Sequence, residues 1–479
     1  MARPNLIVCM CDELRAFGLG CYGHPTIRTP HLDRLATQGT RFEHGVSNEP
    51  VCMPARSMLL AGQFARTCAN TVNNAGWPGG ASFRDVGFPQ WPTADRLGFR
   101  DATLPELLRG QGYATHAIGK WHIEAWPDCI GFDHYVIPAH HHTHTSQWFI
   151  EDNGQPFSPA GFSVDYEAQR VEQLLHAQRR ADRPLFLYYN ISPPHMPLDD
   201  APEHYKRMYG EDDVVTRPNV DIDETSEDFT WSVRSYLWDY RWYRDHLPHT
   251  RVLPEGMNLH RLHALYMGLT SWVDDTVGRL MHALDSSGLA GDTVVVFTSD
   301  HGDNLGSHGR MGKGSLNEES IRVPMLVRGP GVAKQVNTTQ VAGLIDLAPT
   351  LLRLGGAKPA PHLHGQDLTP VLAGAPRLER DFAFIETGID GAGVRTPTHM
   401  LGLPWAGHTR KLTDAPGWFT DLRDDPYQLR RLRDDQPELR AELESHVRAW
   451  DAATPWLLDG DELIGTEALR RAQASTPSA

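Results

Sequence analysis

The chain has 479 residues, a length that fits two domains or one large domain with an appendage. Its 45 Lys and Arg against 60 Asp and Glu leave a net charge of −15, which argues against a nucleic-acid binder or a polybasic membrane-surface protein. Hydrophobic residues at 40% and charged residues at 22% are ordinary for a chain with a sizeable core, whereas 25 histidines lean toward metal ligation and proton transfer.

Asn5 to Met10 is short and apolar, bounded by Pro4 and the acidic pair Asp12-Glu13, as expected of a strand buried on both faces of a parallel sheet. His31 to Gly39 has helical spacing with a glycine at its C-terminal end. Leu104 to Gln111 reads as a helix, Tyr113 to Gly119 as a strand, and Pro184 to Ile191 as another. A long helix is expected over Leu259 to Leu284, then a Val-rich strand from Thr293 to Thr298 ending at Ser299-Asp300-His301. Short strands at Pro324 to Val327 and Phe382 to Ile385 flank a helix over Leu344 to Leu354. Alternating strands and helices predict an α/β fold, a large mostly parallel sheet covered by helices on both faces. In such sheets the working residues gather beyond the carboxyl ends of strands, and Asp12, Lys120, His195 and Asp300 all follow predicted strands.

Two segments break the rhythm. Residues 211–251 carry acidic residues and then Phe229, Trp231, Tyr236, Trp238, Tyr240, Trp242 and Tyr243, an insertion that reads as a substrate lid or an oligomer contact. Around Gly374-Ala-Pro376 a boundary is expected, giving a catalytic domain over 1–372 and a small C-terminal α+β domain over 373–479. That domain would hold a strand at Trp418 to Leu422, an amphipathic helix at Pro437 to Trp450 and a polar tail. No run approaches the ~20 apolar residues of a membrane span, and no secretory signal is evident at the start. The six cysteines (Cys9, Cys11, Cys21, Cys52, Cys68, Cys129) lack zinc-ribbon spacing, so reduced thiols and a cytoplasmic location are the expectation.

Cys52-Met-Pro-Ala-Arg56 is the most informative stretch. A cysteine stands at the mouth of a helix with Pro54 in its first turn, where the macrodipole and unpaired N–H groups favour an anion. From the residues alone, a structural cysteine beside a helix start is an equal reading. The pattern C-x-P-x-R, with a helix ending in Gly62, resembles the signature of the type I sulfatases of the alkaline phosphatase superfamily. The resemblance extends through Asp12-Glu13-Leu-Arg15, Gly20-Cys-Tyr-Gly23, Thr29-Pro-His-Leu-Asp33, Gly119-Lys-Trp-His122 and Pro193-Pro-His195. It continues in Thr298-Ser-Asp-His-Gly302, Gly312-Lys-Gly314 through Pro324, and Phe419 to Pro426, so it spans nearly the whole chain.

The resemblance implies that Cys52 is oxidised to formylglycine by a formylglycine-generating enzyme, and that one hydroxyl of its hydrate attacks a small-molecule sulfate monoester to give a covalent sulfo-enzyme. It implies one divalent metal ion, Ca²⁺ or Mn²⁺, on Asp12, Glu13, Asp300 and His301. Glu13 and His301 depart from the commoner Asp and Asn of sulfatases. The histidine also occurs in the related phosphonate monoester hydrolases, and imidazole favours Mn²⁺ and its neighbours over Ca²⁺. By family position Arg56 stabilises the diol, Lys120, Lys313 and His195 contact sulfate or the leaving oxygen, and His122 is the base for collapse of the hemiacetal. Asn73 or Asn74 and, on a nearby glycine-rich loop, His308 are expected to bind substrate. The tract His140-His-His-Thr-His144, next to Trp148 and Phe149, reads as an exposed loop or pocket wall, with a second metal as the sharper alternative. Sulfatase is the leading function; a phosphonate monoester or phosphodiester hydrolase with the same nucleophile is the first alternative, an unconverted anion-binding module the second. Nucleic-acid and membrane partners are not expected; a homo-oligomer is compatible.

Overall fold

Alternation along the first strand shows how the sheet is dressed. In the computed structural model, which describes residues 3–69, 91–92, 95–96, 98–139, 142–152, 154–237, 256–407, 409–415, 417–430 and 436–457, β1 (Asn5–Asp12) is buried throughout. Its even side chains Leu6, Val8 and Met10 enter one apolar core with Met58, Leu59 and Leu351. The odd ones, Ile7, Cys9 and Cys11, enter another with Val273, Val277 and Leu280. A period of two between two helical layers is what a doubly covered strand requires.

Eight further strands complete the sheet: β2 (Thr40–Val46), β3 (Ala114–Gly119), β4 (His134–Pro138), β5 (Phe149–Glu151), β6 (Leu185–Pro194), β7 (Thr293–Ser299), β8 (Met325–Arg328) and β9 (Gln335–Gly343). Their order is β5-β4-β3-β6-β1-β7-β8-β2-β9. The central run β4-β3-β6-β1-β7 is parallel, whereas β5 and β8 run against their neighbours. The expected α/β class is therefore observed as a mixed, mostly parallel sheet. One layer includes the helices Ser163–Gln178 and Leu259–Ser287, the latter three residues longer than the spacing predicts and closed by Gly288 in the left-handed region. The other includes Cys52–Ala61, Leu104–Gly110 and Leu347–Leu354. Thr103 and Glu106 close a capping box at the start of Leu104–Gly110, satisfying two otherwise orphaned donors.

A second, antiparallel sheet of four strands follows in chain order: β10 (Ala383–Glu386), β11 (Ala392–Arg395), β12 (His399–Leu403) and β13 (Trp418–Asp421). The helix Pro437–Ala453 lays Leu443, Val447 and Trp450 into the same core as Val394, Leu401 and Phe419. Among the described residues no helix is long and apolar enough to cross a membrane.

Candidate active site

Five of the expected residues leave strands at one end of the sheet. Asp12 closes β1, Lys120 follows β3, His195 follows β6, and Asp300 and His301 follow β7. The chain turns sharply at each place. Gly119 has φ +91°, and a Cβ there would stand 1.9 Å from the Asn190 carbonyl oxygen, so only glycine lets Lys120 depart in that direction. Glu13 and His122 hold φ values of +69° and +49° without glycine's freedom, local strain of the kind that collects at functional sites. Cys52 enters from the opposite layer as the first residue of Cys52–Ala61, after Val51 in extended conformation.

These elements bring Cys52 Sγ to 3.1 Å from Lys313 Nζ, 3.1 Å from His301 Nε2 and 3.7 Å from Asp12 Oδ1. Arg56, one helical turn on and fully buried, donates to Asp12 (3.0 Å), twice to Asp300 (2.9 and 3.1 Å), to Asn190 Oδ1 (2.9 Å) and to the Lys120 carbonyl (3.1 Å). It thereby knits three strand ends to the cysteine's helix. Lys120 forms an ion pair with Asp12, and Glu13 faces Lys313 at 3.4 Å and His195 at 3.3 Å. Sequence reasoning missed Asn190, because it sits inside an otherwise apolar strand.

The electrostatics follow from burial and from what each group faces. Burial pushes the Cys52 thiol up, but Lys313, His301 and Lys120 outweigh it and hold the thiol well below its ordinary range. Burial lowers His122 to about 4 and, with help from Lys120 and Lys313, His195 to about 3, so both rings are neutral bases at neutral pH. Burial also opposes the charged form of His301, yet Asp300 prevails and raises it to about 9. Burial pushes Glu13 well above the usual carboxylate range, Asp303 and Asp12 adding to it against Lys313.

The donor set suits a divalent cation. Both Glu13 carboxylate oxygens are buried without a hydrogen-bond partner, a costly state that a cation would relieve. His301 donates from Nδ1 to the Gly302 carbonyl (2.8 Å), so it is Nε2 that faces Asp12 at 3.6 Å and Asp300 at 3.5 Å and that would give up its proton to bind a cation. Asp12, Asp300 and His301 offer ligand atoms within 4.8 Å of one another, and so do Asp12, Glu13 and His195.

Other expected residues fall elsewhere. His308 lies against Asn219 (3.0 Å) and Glu319 (3.7 Å), not against the Cys52 cluster. Phe149 is a core residue of β5 packed on Phe157 and Tyr166, whereas Trp148 is exposed. Tyr236 of the aromatic insertion is buried, donating to Asp303 (2.6 Å) and accepting from the Gly312 N–H (2.7 Å) beside Lys313. Phe229 is core. Asn73, Asn74, His140, His141, Trp238, Tyr240, Trp242 and Tyr243 lie outside the described residues, as does the Trp231 side chain.

A mostly parallel sheet covered by helices on both faces, with carboxylates at its central strand ends, is an α/β fold class that the chain shares with solved sulfatase structures. Within it the chain belongs to the sulfatase family, whose profile matches residues 4–357, and it is a sulfuric ester hydrolase. It is 27% identical over 445 residues to an ulvan-active sulfatase of Formosa agariphila, covering 90% of this chain and 77% of that protein. It is 30% identical over 450 residues to the steryl-sulfatase of Mus musculus, covering 80% and 67%. The fold matches that of BT4656, solved with its substrate D-glucosamine-2-N,6-O-disulfate, at a TM-score of 0.75 and 22% identity over 99% of each chain. It also matches the phosphonate monoester hydrolase of Agrobacterium radiobacter, at 0.69 and 22% over 94% of this chain and 96% of that one.

Proposed function

We propose that the protein hydrolyses sulfate monoesters with a formylglycine made from Cys52 and one divalent ion, Ca²⁺ or Mn²⁺, held by Asp12, Glu13, Asp300 and His301. The observation that carries this is the position of Cys52 Sγ, 3.1 Å from both Lys313 Nζ and His301 Nε2 at the start of a helix. Hydrated formylglycine supplies the attacking oxygen, and the ion supplies positive charge that acidifies it.

The chain's own groups do the rest. A sulfate ester repels nucleophiles through its negative charge, so fixed cations must meet it before attack; Lys313 lies 3.1 Å from Cys52 Sγ, and Lys120, paired with Asp12, also stabilises negative charge there. Arg56, held by five hydrogen bonds, favours the charged forms of Asp12 and Asp300, although burial and Asp12 still leave Asp300 above its ordinary range, and it fixes both carboxylates to the helix that begins at Cys52. His195 donates from Nδ1 to the Met196 carbonyl (2.8 Å), so the Nε2 of its neutral ring is an acceptor that can donate to the leaving oxygen only after taking up a proton, whereas the Lys313 ammonium already carries one to give. His122, kept neutral by burial and close enough to Cys52 to feel its charge, would take the proton when the second hydroxyl collapses to aldehyde and releases sulfate.

The imidazole of His301 favours a second reading, hydrolysis of phosphonate monoesters or phosphodiesters with the same groups. Comparing kcat/KM for aryl sulfate, aryl phosphonate monoester and aryl phosphodiester separates the two. Sulfate turnover dominates if the first reading holds; turnover confined to the phosphorus esters gives the second. Ulvan and a steryl sulfate, after the two relatives, extend the panel. The six free cysteines support the cytoplasmic placement.

A further inference from the structure

Of the five-residue histidine tract, His142 reaches the active site, and it does so by two independent contacts. Its Nδ1 lies 3.1 Å from Lys120 Nζ, and its ring stacks on His195 with centroids 4.2 Å apart and planes 20° apart. Its ring also stands 5.6 Å from that of His122. The loop beneath it is anchored: the His144 N–H donates to Asp200 (2.6 Å), Thr145 donates to Asp200 through N–H (3.0 Å) and hydroxyl (2.8 Å), and His144 Nε2 donates to the His195 carbonyl (3.2 Å). The tract is thereby tied to the chain that presents His195.

We infer that His142 is a positioning residue for sulfate-ester cleavage, aiming the Lys120 ammonium through an acceptor bond at Nδ1 and fixing the plane of the His195 ring by stacking. An ammonium has donors only, so Nδ1 must be the acceptor and the His142 proton sits on Nε2. Lys120 has three N–H bonds. Asp12 takes one and His142 a second, leaving the third with a single direction to offer a ligand. A long, flexible lysine side chain is poorly fixed by one partner, and two remove most of its freedom before substrate arrives. The stacked ring does the same for His195, whose Nε2 must meet the leaving oxygen at a fixed angle.

This inference rests on the sulfate-ester reading, and its test separates the two. Steady-state kinetics on 4-nitrophenyl sulfate and on phenyl sulfate, whose leaving group is poorer, are measured for wild type, His142→Asn, His142→Phe and His142→Leu. Asparagine places its Oδ1 where Nδ1 was and keeps the acceptor without the ring; phenylalanine keeps the ring face without the acceptor. The expected result is kcat lowered about 10- to 100-fold in His142→Leu, the range found when groups orienting a site are removed, with KM within about threefold. The loss is larger for phenyl sulfate, and both His142→Asn and His142→Phe recover part of it. Unchanged kcat in His142→Leu, or equal kcat in all three variants at a loss independent of the leaving group, overturns the inference. Wild type with no sulfate turnover overturns the underlying reading instead.

Discussion

Two fully buried arginines, Arg56 and Arg66, lie ten positions apart and serve opposite ends. Arg66 pairs with Glu386 of β10 and Asp451 of the C-terminal helix, and its guanidinium lies 4.2 and 4.3 Å from the ring centres of Trp450 and Trp456. Its charge is consumed in joining the small sheet and its helix to the chain just beyond Cys52–Ala61. Arg56 also pairs with two carboxylates, yet its neighbourhood keeps further charges than those bonds absorb: Glu13 without a hydrogen bond, Lys120 and Lys313 converging, and a thiol held far below its ordinary range. The difference lies in convergence: around Arg66 the charges meet one another, although Arg66 Nη2 and the nearby Glu49 carboxylate are left without a hydrogen bond, whereas around Arg56 several charged groups converge on one cysteine.

The sharpest break in that comparison is Cys52→Ala. Turnover should fall by at least about 10⁴-fold, the scale of losing a nucleophile, while divalent-ion binding by calorimetry persists. Arg66→Ala should do the reverse, costing about 3–5 kcal/mol in denaturant unfolding because Glu386 is left buried and unpaired, with turnover per folded molecule within roughly threefold of wild type. Glu13→Gln tests the cation argument. Divalent-ion affinity should weaken by at least about 10- to 100-fold, and the ion-free protein should melt higher than wild type because a buried carboxylate without a hydrogen bond is gone.

The smallest effect concerns another buried ion pair, Glu318 with Arg395 of β11 at 3.0 Å. Burial raises the Glu318 carboxyl, but Arg395 overrides it and holds the group at about 2, below its ordinary 4.5. The pair's contribution is therefore present above about pH 4.5 and is lost as pH falls toward 2. It amounts to about 3 kcal/mol. Unfolding measured across that window should be less steep in pH for Glu318→Gln than for wild type.

Much of the fold was legible because the central strands are apolar and end in abrupt polar residues. β1, β3, β6 and β7 announced themselves in this way, and with them Asp12, Lys120, His195 and Asp300. β2 was not, since Thr-Arg-Phe-Glu-His-Gly-Val alternates charge with apolar residues and buries only half its side chains fully. β9 is largely polar at the sheet's edge, where one flank is not packed against another strand. The antiparallel direction of β8 depends on pairing partners distant in sequence, and no local pattern records it. For the site, residue type and spacing marked Cys52, Arg56 and the carboxylates. Nothing in a tract of four histidines and a threonine distinguished His142, because its contacts depend on how Asp200 ties down the loop. His308 was expected at the site from its nearness in sequence to Lys313, but its left-handed backbone turns it toward Asn219 and Glu319.

The most direct test is the correlation between maturation and rate. Preparations with different degrees of Cys52 conversion are quantified by mass spectrometry of the peptide containing it, and kcat on an aryl sulfate is measured for each. The account predicts that kcat rises in proportion to the formylglycine fraction and extrapolates to zero at none. Turnover that is independent of that fraction, or that persists in wholly unconverted protein, would contradict it.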